Sequence, residues 1–218
     1  MNSIFLPLNK ACKVIKFHPE GLWAIDKASG VLSHPNKNNS NAPSLLTCSY
    51  DFKKECYLWK DTTGVSQHLY LIHRLDSATS GVMLASSCYD LALELKKSFA
   101  KRSVDKTYYA FVDFKHPKPV NGMWKDSLVK NSSRGNIRVT MDKDGSTALT
   151  RVTLERTANT KLGKTALLKL MPKTGRTHQL RVQCAKRGMP IIGDRTYGNF
   201  ELNRKFAKLT GSLSLIHI

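Results

Sequence analysis

The stretch with the most chemical content is His73-Arg74-Leu75-Asp76-Ser77-Ala78-Thr79-Ser80-Gly81. A carboxylate, Asp76, follows Arg74 by two positions and is trailed by small hydroxylated residues. Such residues bond nearby backbone and hold a tight, irregular turn. The simplest account is that Asp76 caps that turn; the chemical one is that a rigid loop presents a single acid as nucleophile or base. Two further residue types could serve such an acid: Tyr108, in a β-branched and aromatic run, and Arg176, in Thr174-Gly175-Arg176-Thr177-His178-Gln179-Leu180-Arg181. A planar guanidinium can pair with a carboxylate and favour its charged form. There is no GxSxG elbow, and the seven histidines form no HExxH or similar pair. Glycoside hydrolysis usually needs two carboxylates, one of them to protonate the leaving group. A group that departs as a stabilised anion needs no such acid.

The elements that must hold these residues can be read from their patterns. The run His68–Leu75 is apolar enough for a buried strand, and Val82-Met83-Leu84-Ala85 resumes it after the polar loop. Trp23–Lys27 reads as a strand, followed by a Gly30 turn and an extended piece ending at Pro35. Asn36–Asn41 reads as a loop, and Ser44–Trp59 as a helix. Cys88, Leu91, Ala92, Leu95 and Phe99 fall at helical spacing, with Ser87 as the expected cap and Asp90 three residues later.

Lys106–Val112 is a strand whose period sends Tyr108 and Tyr109 to opposite faces, so only one can meet a substrate; core packing suits Tyr109. Bases including Lys115, Lys118, Lys125, Lys130, Arg134 and Arg138 surround expected strands at Asp126–Lys130 and Asn136–Thr140, with two more at Ser146–Arg156 and Lys164–Met171. A helix begins just after Arg176, with Thr177 as N-cap and Gly188 and Pro190 ending it.

Composition bounds the class. The 218 residues, 41% hydrophobic, suit one large or two small domains that fold without staples. The five cysteines are scattered without a CxxC pair, which predicts reduced thiols in a cytoplasmic protein. The N-terminus lacks the pattern of a secretory signal, and no apolar stretch is long enough to span a membrane. A net charge of +19 makes a polyanion the natural partner, nucleic acid first. An anionic membrane would call for a basic amphipathic helix or polybasic run, whereas these charges are spread along the chain.

The loop HRLDxxTSG resembles the catalytic loop of the RluA-type pseudouridine synthases. Further motifs follow in order: Lys27–Pro35 is similar to the opening KPxGxxVxP, Lys106–Val112 to KxYxAxV, Thr174–Arg181 to TGRTHQxR, and Pro190–Gly198 to PIxGDxxYG. The protein-kinase HRD loop is a poorer match, because Leu75 is inserted and the kinase Asn, DFG and Gly-rich loop are lacking. The resemblance covers about Leu22–Tyr197, with too little chain upstream for the S4 domain some members carry. It departs at Gln183, where members have His, and at the end, where Leu215-Ile216-His217-Ile218 stops before the family's last strand.

The resemblance implies an α+β fold, a mixed and largely antiparallel sheet with flanking helices and a basic cleft, in one catalytic domain over 1–218. It implies isomerisation of uridine in ribosomal or transfer RNA by a monomer, with no cofactor and no metal. Asp76 would be nucleophile or base, Tyr108 would stack on the base and assist the last proton removal, and Arg176 would pair with Asp76. Leu180 would pack on the uracil, while His73, Arg74 and Thr79 would shape the substrate-binding loop. Two other classes share these residues: an inactive RNA-binding module, and a glycosidase that admits water.

The charge reading carries its own test. RNA affinity should fall steeply with added salt, because each phosphate neutralised releases counterions. A filter-binding titration that stays flat from low to moderate salt would remove +19 as an RNA footprint.

Overall fold

The computed structural model describes residues 5–36, 41–115, 120–133, 136–210 and 216–217. The expected Asn36–Asn41 loop, Lys118 and Arg134 fall wholly or mostly outside these residues. The chain forms two compact units, Met1–Val104 and Asp105–Ile218.

In the first unit, β1 (Lys13–His18), β2 (Leu22–Lys27), β3 (Ser49–Asp51), β4 (Cys56–Lys60), β5 (Ser66–Leu71) and β6 (Thr79–Ser86) make an antiparallel sheet in the order β3-β4-β5-β6-β2-β1. Helix α1 (Tyr89–Ala100) packs on β5 and β6. Ile25, Leu45, Leu46, Tyr57, Leu69, Met83 and Ala85 are fully buried and form its core. Alternation along β2 buries Trp23 and Ile25, and the same period turns Lys27 inward.

In the second unit, β7 (Tyr108–Asp113), β8 (Gly122–Ser133), β9 (Asn136–Met141), β10 (Ser146–Thr160), β11 (Gly163–Pro172) and β12 (Ile216–His217) pair antiparallel in the order β12-β7-β11-β10-β8-β9. Helix α2 (Gln179–Lys186) lies against β8, and α3 (Phe200–Thr210) follows. Val182 of α2 joins Leu128, Val139 and Ala148 in a buried cluster.

Several expectations are corrected. Ser44–Trp59 is not a helix: the Asp51 carboxylate accepts the N–H groups of Lys53 and Lys54, and Glu55 adopts a left-handed φ of 50°, so the segment turns back as the β3–β4 hairpin. The buried strand from His68 ends at Leu71, and Ile72–Leu75 already leaves the sheet. Ser87 does not cap α1; the N-cap is Cys88 without a side-chain bond, and the Ser87 hydroxyl donates to the Gly21 carbonyl. Nor does Thr177 cap α2, whose N-cap is His178 in the left-handed conformation, φ 52°. Tyr109 is 39% exposed rather than core, because Ala110 and Val112 bury the face that Tyr108 shares.

Two polar clusters brace α2. Gln183, the departure from the family pattern, is fully buried: it accepts the Thr150 hydroxyl at 2.6 Å and donates to the Asp126 carboxylate at 2.7 Å. That residue is therefore a packing element. Arg181 forms a fork with buried Asp194, Nε and one terminal nitrogen each 2.8 Å from a carboxylate oxygen. Burial resists ionisation of Asp194, but the Arg181 bonds and the N–H groups of Thr196 and Tyr197 outweigh it and hold the carboxyl below its ordinary range.

Truncating Arg181 leaves a buried charge without its partner. Arg181→Ala should lower the free energy of unfolding by about 3–5 kcal/mol, read from urea midpoints.

Candidate active site

Asp76 lies where the chain leaves β5 and before it enters β6, and a second segment clasps it there. The Ser33 hydroxyl donates to the Leu75 carbonyl at 2.7 Å and accepts the Leu75 N–H at 3.0 Å, engaging both backbone groups of the residue before Asp76. The Gly30 N–H donates to the Ser77 carbonyl at 2.7 Å and the Ser29 hydroxyl to the Ala78 carbonyl at 3.0 Å. Within the loop the Thr79 N–H returns to the Asp76 carbonyl at 3.0 Å, and Thr79 is buried. Gly81 then takes φ 120°, a left-handed value that a side chain resists, as the backbone enters β6 opposite Lys27. Asp76 itself is half-buried, so the clamp fixes its backbone while leaving the side chain reachable.

Lys27 is the residue that sequence reasoning missed. It is 0% exposed, and its ammonium donates to the carbonyls of Val31 at 2.7 Å, Ala28 at 3.0 Å and Ser77 at 3.2 Å. Burial pushes its pKa from 10.5 down to about 8, against the opposing attraction of Cys12 and Asp76. One cation thus ties the Gly30 turn to the Asp76 loop and sets a positive charge near the carboxylate. The signal was available: Trp23, Ile25 and Lys27 share one face of β2 by period two.

The other loop residues divide by what they touch. The His73 ring stacks on Phe99 of α1, centroids 4.8 Å apart, and its Nε2 accepts the Leu84 N–H at 3.0 Å. Arg74 is exposed, with a terminal nitrogen 2.8 Å from His34 Nε2.

Tyr108, Arg176 and Leu180, the other expected site residues, lie in the second unit. Tyr108 opens β7, half-buried, opposite Leu170 of β11. The turn before α2 is held by buried Gln179, whose side-chain oxygen accepts the Arg176 N–H at 3.0 Å and the Thr174 hydroxyl at 2.7 Å, while its amide donates to Leu149 and Thr150 of β10. Arg176 leaves that turn exposed, its Nε donating to the Thr147 carbonyl at 3.1 Å. Leu180 is buried on α2. Gln179 was overlooked because its role is to the backbone of a neighbour, which spacing along the helix does not reveal.

Among the described residues no group of three or more His, Cys, Asp or Glu could hold a metal. No described helix is long and apolar enough to cross a membrane.

The fold is an antiparallel α+β one with a carboxylate held in a clamped loop, and comparison with known proteins identifies its family. Residues 21–186 match the RNA pseudouridylate synthase family, and the chain belongs to it. It is 31% identical over 188 residues to the dual-specificity RNA pseudouridine synthase RluA of Salmonella typhimurium, covering 86% of this chain and 78% of that one. It is 29% identical over 201 residues to the tRNA pseudouridine synthase C of Vibrio cholerae, covering 88% and 77%. The fold is shared with human RNA pseudouridylate synthase domain containing 1, at TM-score 0.67 and 20% identity over 94% of this chain and 76% of that one.

Lys27 gives the site a measurable pH signature. Between about 8 and 10.5 the unfolded lysine binds a proton that the folded one has lost, so its contribution to stability rises with pH through that window. Its burial penalty, about 3 kcal/mol, is fully present below 8 and relieved above 10.5. The urea midpoint of the protein should therefore rise relative to that of Lys27→Met across this range and only there; a difference independent of pH from 7 to 11 would show that the ammonium is not desolvated.

Proposed function

We propose that this chain isomerises uridines of ribosomal or transfer RNA to pseudouridine, with Asp76 as the reacting carboxylate. The observation that carries the assignment is the clamp: the backbone on both sides of Asp76 is held by Ser29, Gly30, Ser33 and Lys27, yet the side chain is half-exposed. A residue that merely caps its own turn needs no such support. A carboxylate that must meet a sugar carbon or proton within a few tenths of an ångström does.

The chemistry is a transfer within one nucleotide. An Asp76 oxygen attacks the sugar, or takes a sugar proton, and the C1′–N1 bond breaks with its electron pair going to the uracil. The uracil turns and C5 bonds to C1′ as the Asp76–C1′ ester bond breaks or, in the second route, as the sugar proton returns from Asp76; the C5 proton then leaves and N1 gains one, so mass is unchanged and the carboxylate is restored. Uracil departs as a stabilised anion, which accounts for a single carboxylate sufficing where hydrolysis usually takes two.

In this reading Tyr108 stacks on the base and assists removal of the C5 proton, Arg176 pairs with the Asp76 carboxylate and Leu180 packs on the uracil. His73 and Thr79 hold the loop, Arg74 meets the RNA, and Lys27 supplies a fixed positive charge beneath the carboxylate. A nucleotide paired within folded RNA must be flipped out for Asp76 to reach its glycosidic bond. The two units act as one catalytic domain over 1–218, as a monomer in the cytoplasm, where its five cysteines stay reduced.

Asp76→Asn keeps the size and the turn while removing the charge. The variant should melt within a few degrees of the parent and bind RNA with similar affinity, while pseudouridine in a nuclease digest of treated RNA falls to background. Retained isomerisation in the folded variant would remove Asp76 from the chemistry. Free uracil from the parent would instead identify a glycosidase, and unchanged RNA from the parent a binding module.

A further inference from the structure

An exposed arginine beside a catalytic loop is ordinarily a mobile side chain with many rotamers. Arg74 is not free to sample them. Its guanidinium lies 2.8 Å from His34 Nε2, and His34 Nδ1 lies 2.8 Å from the Pro35 carbonyl. An arginine can only donate and a carbonyl can only accept, so the two distances fix the tautomer. Nδ1 carries the proton and gives it to Pro35, and Nε2 offers its lone pair to Arg74. The ring is held in turn by stacking on Tyr50 of β3, centroids 5.1 Å apart and planes 13° apart, with Phe52 edge-on at 6.2 Å.

The choice of partner has a consequence for charge. A carboxylate would pin Arg74 but neutralise it; a neutral imidazole pins it and leaves the full positive charge available. The nearby carboxylate, Glu55, is engaged by Lys96 of α1 at 2.8 Å. These groups border a cleft of about 190 Å³ that opens beside Arg74 and is lined by Tyr50, Glu55, His73 and Lys96.

We propose that His34 is a positioning residue that holds the Arg74 guanidinium ready for an RNA phosphate through a hydrogen bond only its neutral ring can accept. This deepens the reading of Arg74 as an RNA contact and rests on it. A doubly protonated ring would have no lone pair on Nε2 and would repel Arg74, so only the neutral ring can serve as the acceptor. The charged and titratable groups around the ring are Arg74 from the catalytic loop, Tyr50 from β3, Glu55 from the β3–β4 turn and, through Glu55, Lys96 from α1.

The test reads binding of oligo(U) RNA to the full-length protein, so it stands whether or not the chain forms pseudouridine. His34→Phe keeps the stack on Tyr50 and loses the acceptor, and should weaken binding about five- to tenfold. His34→Gln places an amide oxygen where Nε2 was and should stay within about twofold of the parent. In an Arg74→Ala background, His34→Phe should add nothing, which is the signature of action through Arg74. Parental binding by His34→Phe, or the same loss with and without Arg74, would overturn the proposal. If His34→Phe fails to fold, His34→Leu, which also lacks the acceptor, takes its place, and parental binding by that variant would overturn the proposal equally.

Discussion

The cage around the Lys27 ammonium is the constraint on which the Asp76 loop depends. Three carbonyls, from Ala28, Val31 and Ser77, converge on one buried cation. Two of these belong to the turn that follows β2 and the third to the loop that follows Asp76, so one group stitches together segments fifty residues apart. Ser33 and Ser29 add further stitches on either side of the carboxylate. Desolvating an ammonium is costly, and the attraction of Cys12 and Asp76 offsets only part of that cost, as its lowered pKa records. The return is a loop whose backbone cannot drift while its acid stays reachable.

The second unit solves the same problem with neutral groups. Gln179 is buried on the first turn of α2 and ties the Arg176 backbone to β10, so Arg176 emerges from a fixed point although its side chain is exposed. The Arg181–Asp194 fork and the Gln183 network then hold α2 against the sheet from its other sides. In each unit a chemically interesting side chain is left at the surface, while the groups that aim it are buried and fully bonded. That division is what a preorganised site requires, because reorganising charged groups during reaction would add to the barrier.

Substitutions of similar chemistry have different meaning across the two units. Gln183 stands where the family has a histidine, and its amide both accepts from Thr150 and donates to Asp126. His34 is the opposite case. Its Nδ1 is occupied by the Pro35 carbonyl, which leaves Nε2 as the acceptor facing Arg74.

Much of this protein was legible from the sequence alone. Strands with alternating or β-rich runs, such as Trp23–Lys27 and Ser146–Arg156, and the strongly periodic helix after Cys88 lie where their patterns put them, because burial of one face dictates the period. Asp76, Tyr108 and Arg176 stood out because motifs in order are local facts about the chain. The tertiary structure decided what local pattern could not. Ser44–Trp59 became a hairpin because Asp51 caps a turn and Glu55 takes a left-handed φ, and neither is visible in hydrophobic spacing. Tyr109 turned outward because its neighbours Ala110 and Val112 filled the core face. Above all, that Lys27 is buried beneath the Asp76 loop, and that His34 accepts from Arg74, are contacts between residues forty or more positions apart. Their energies depend on burial and on which atom meets which, and only the folded chain sets either.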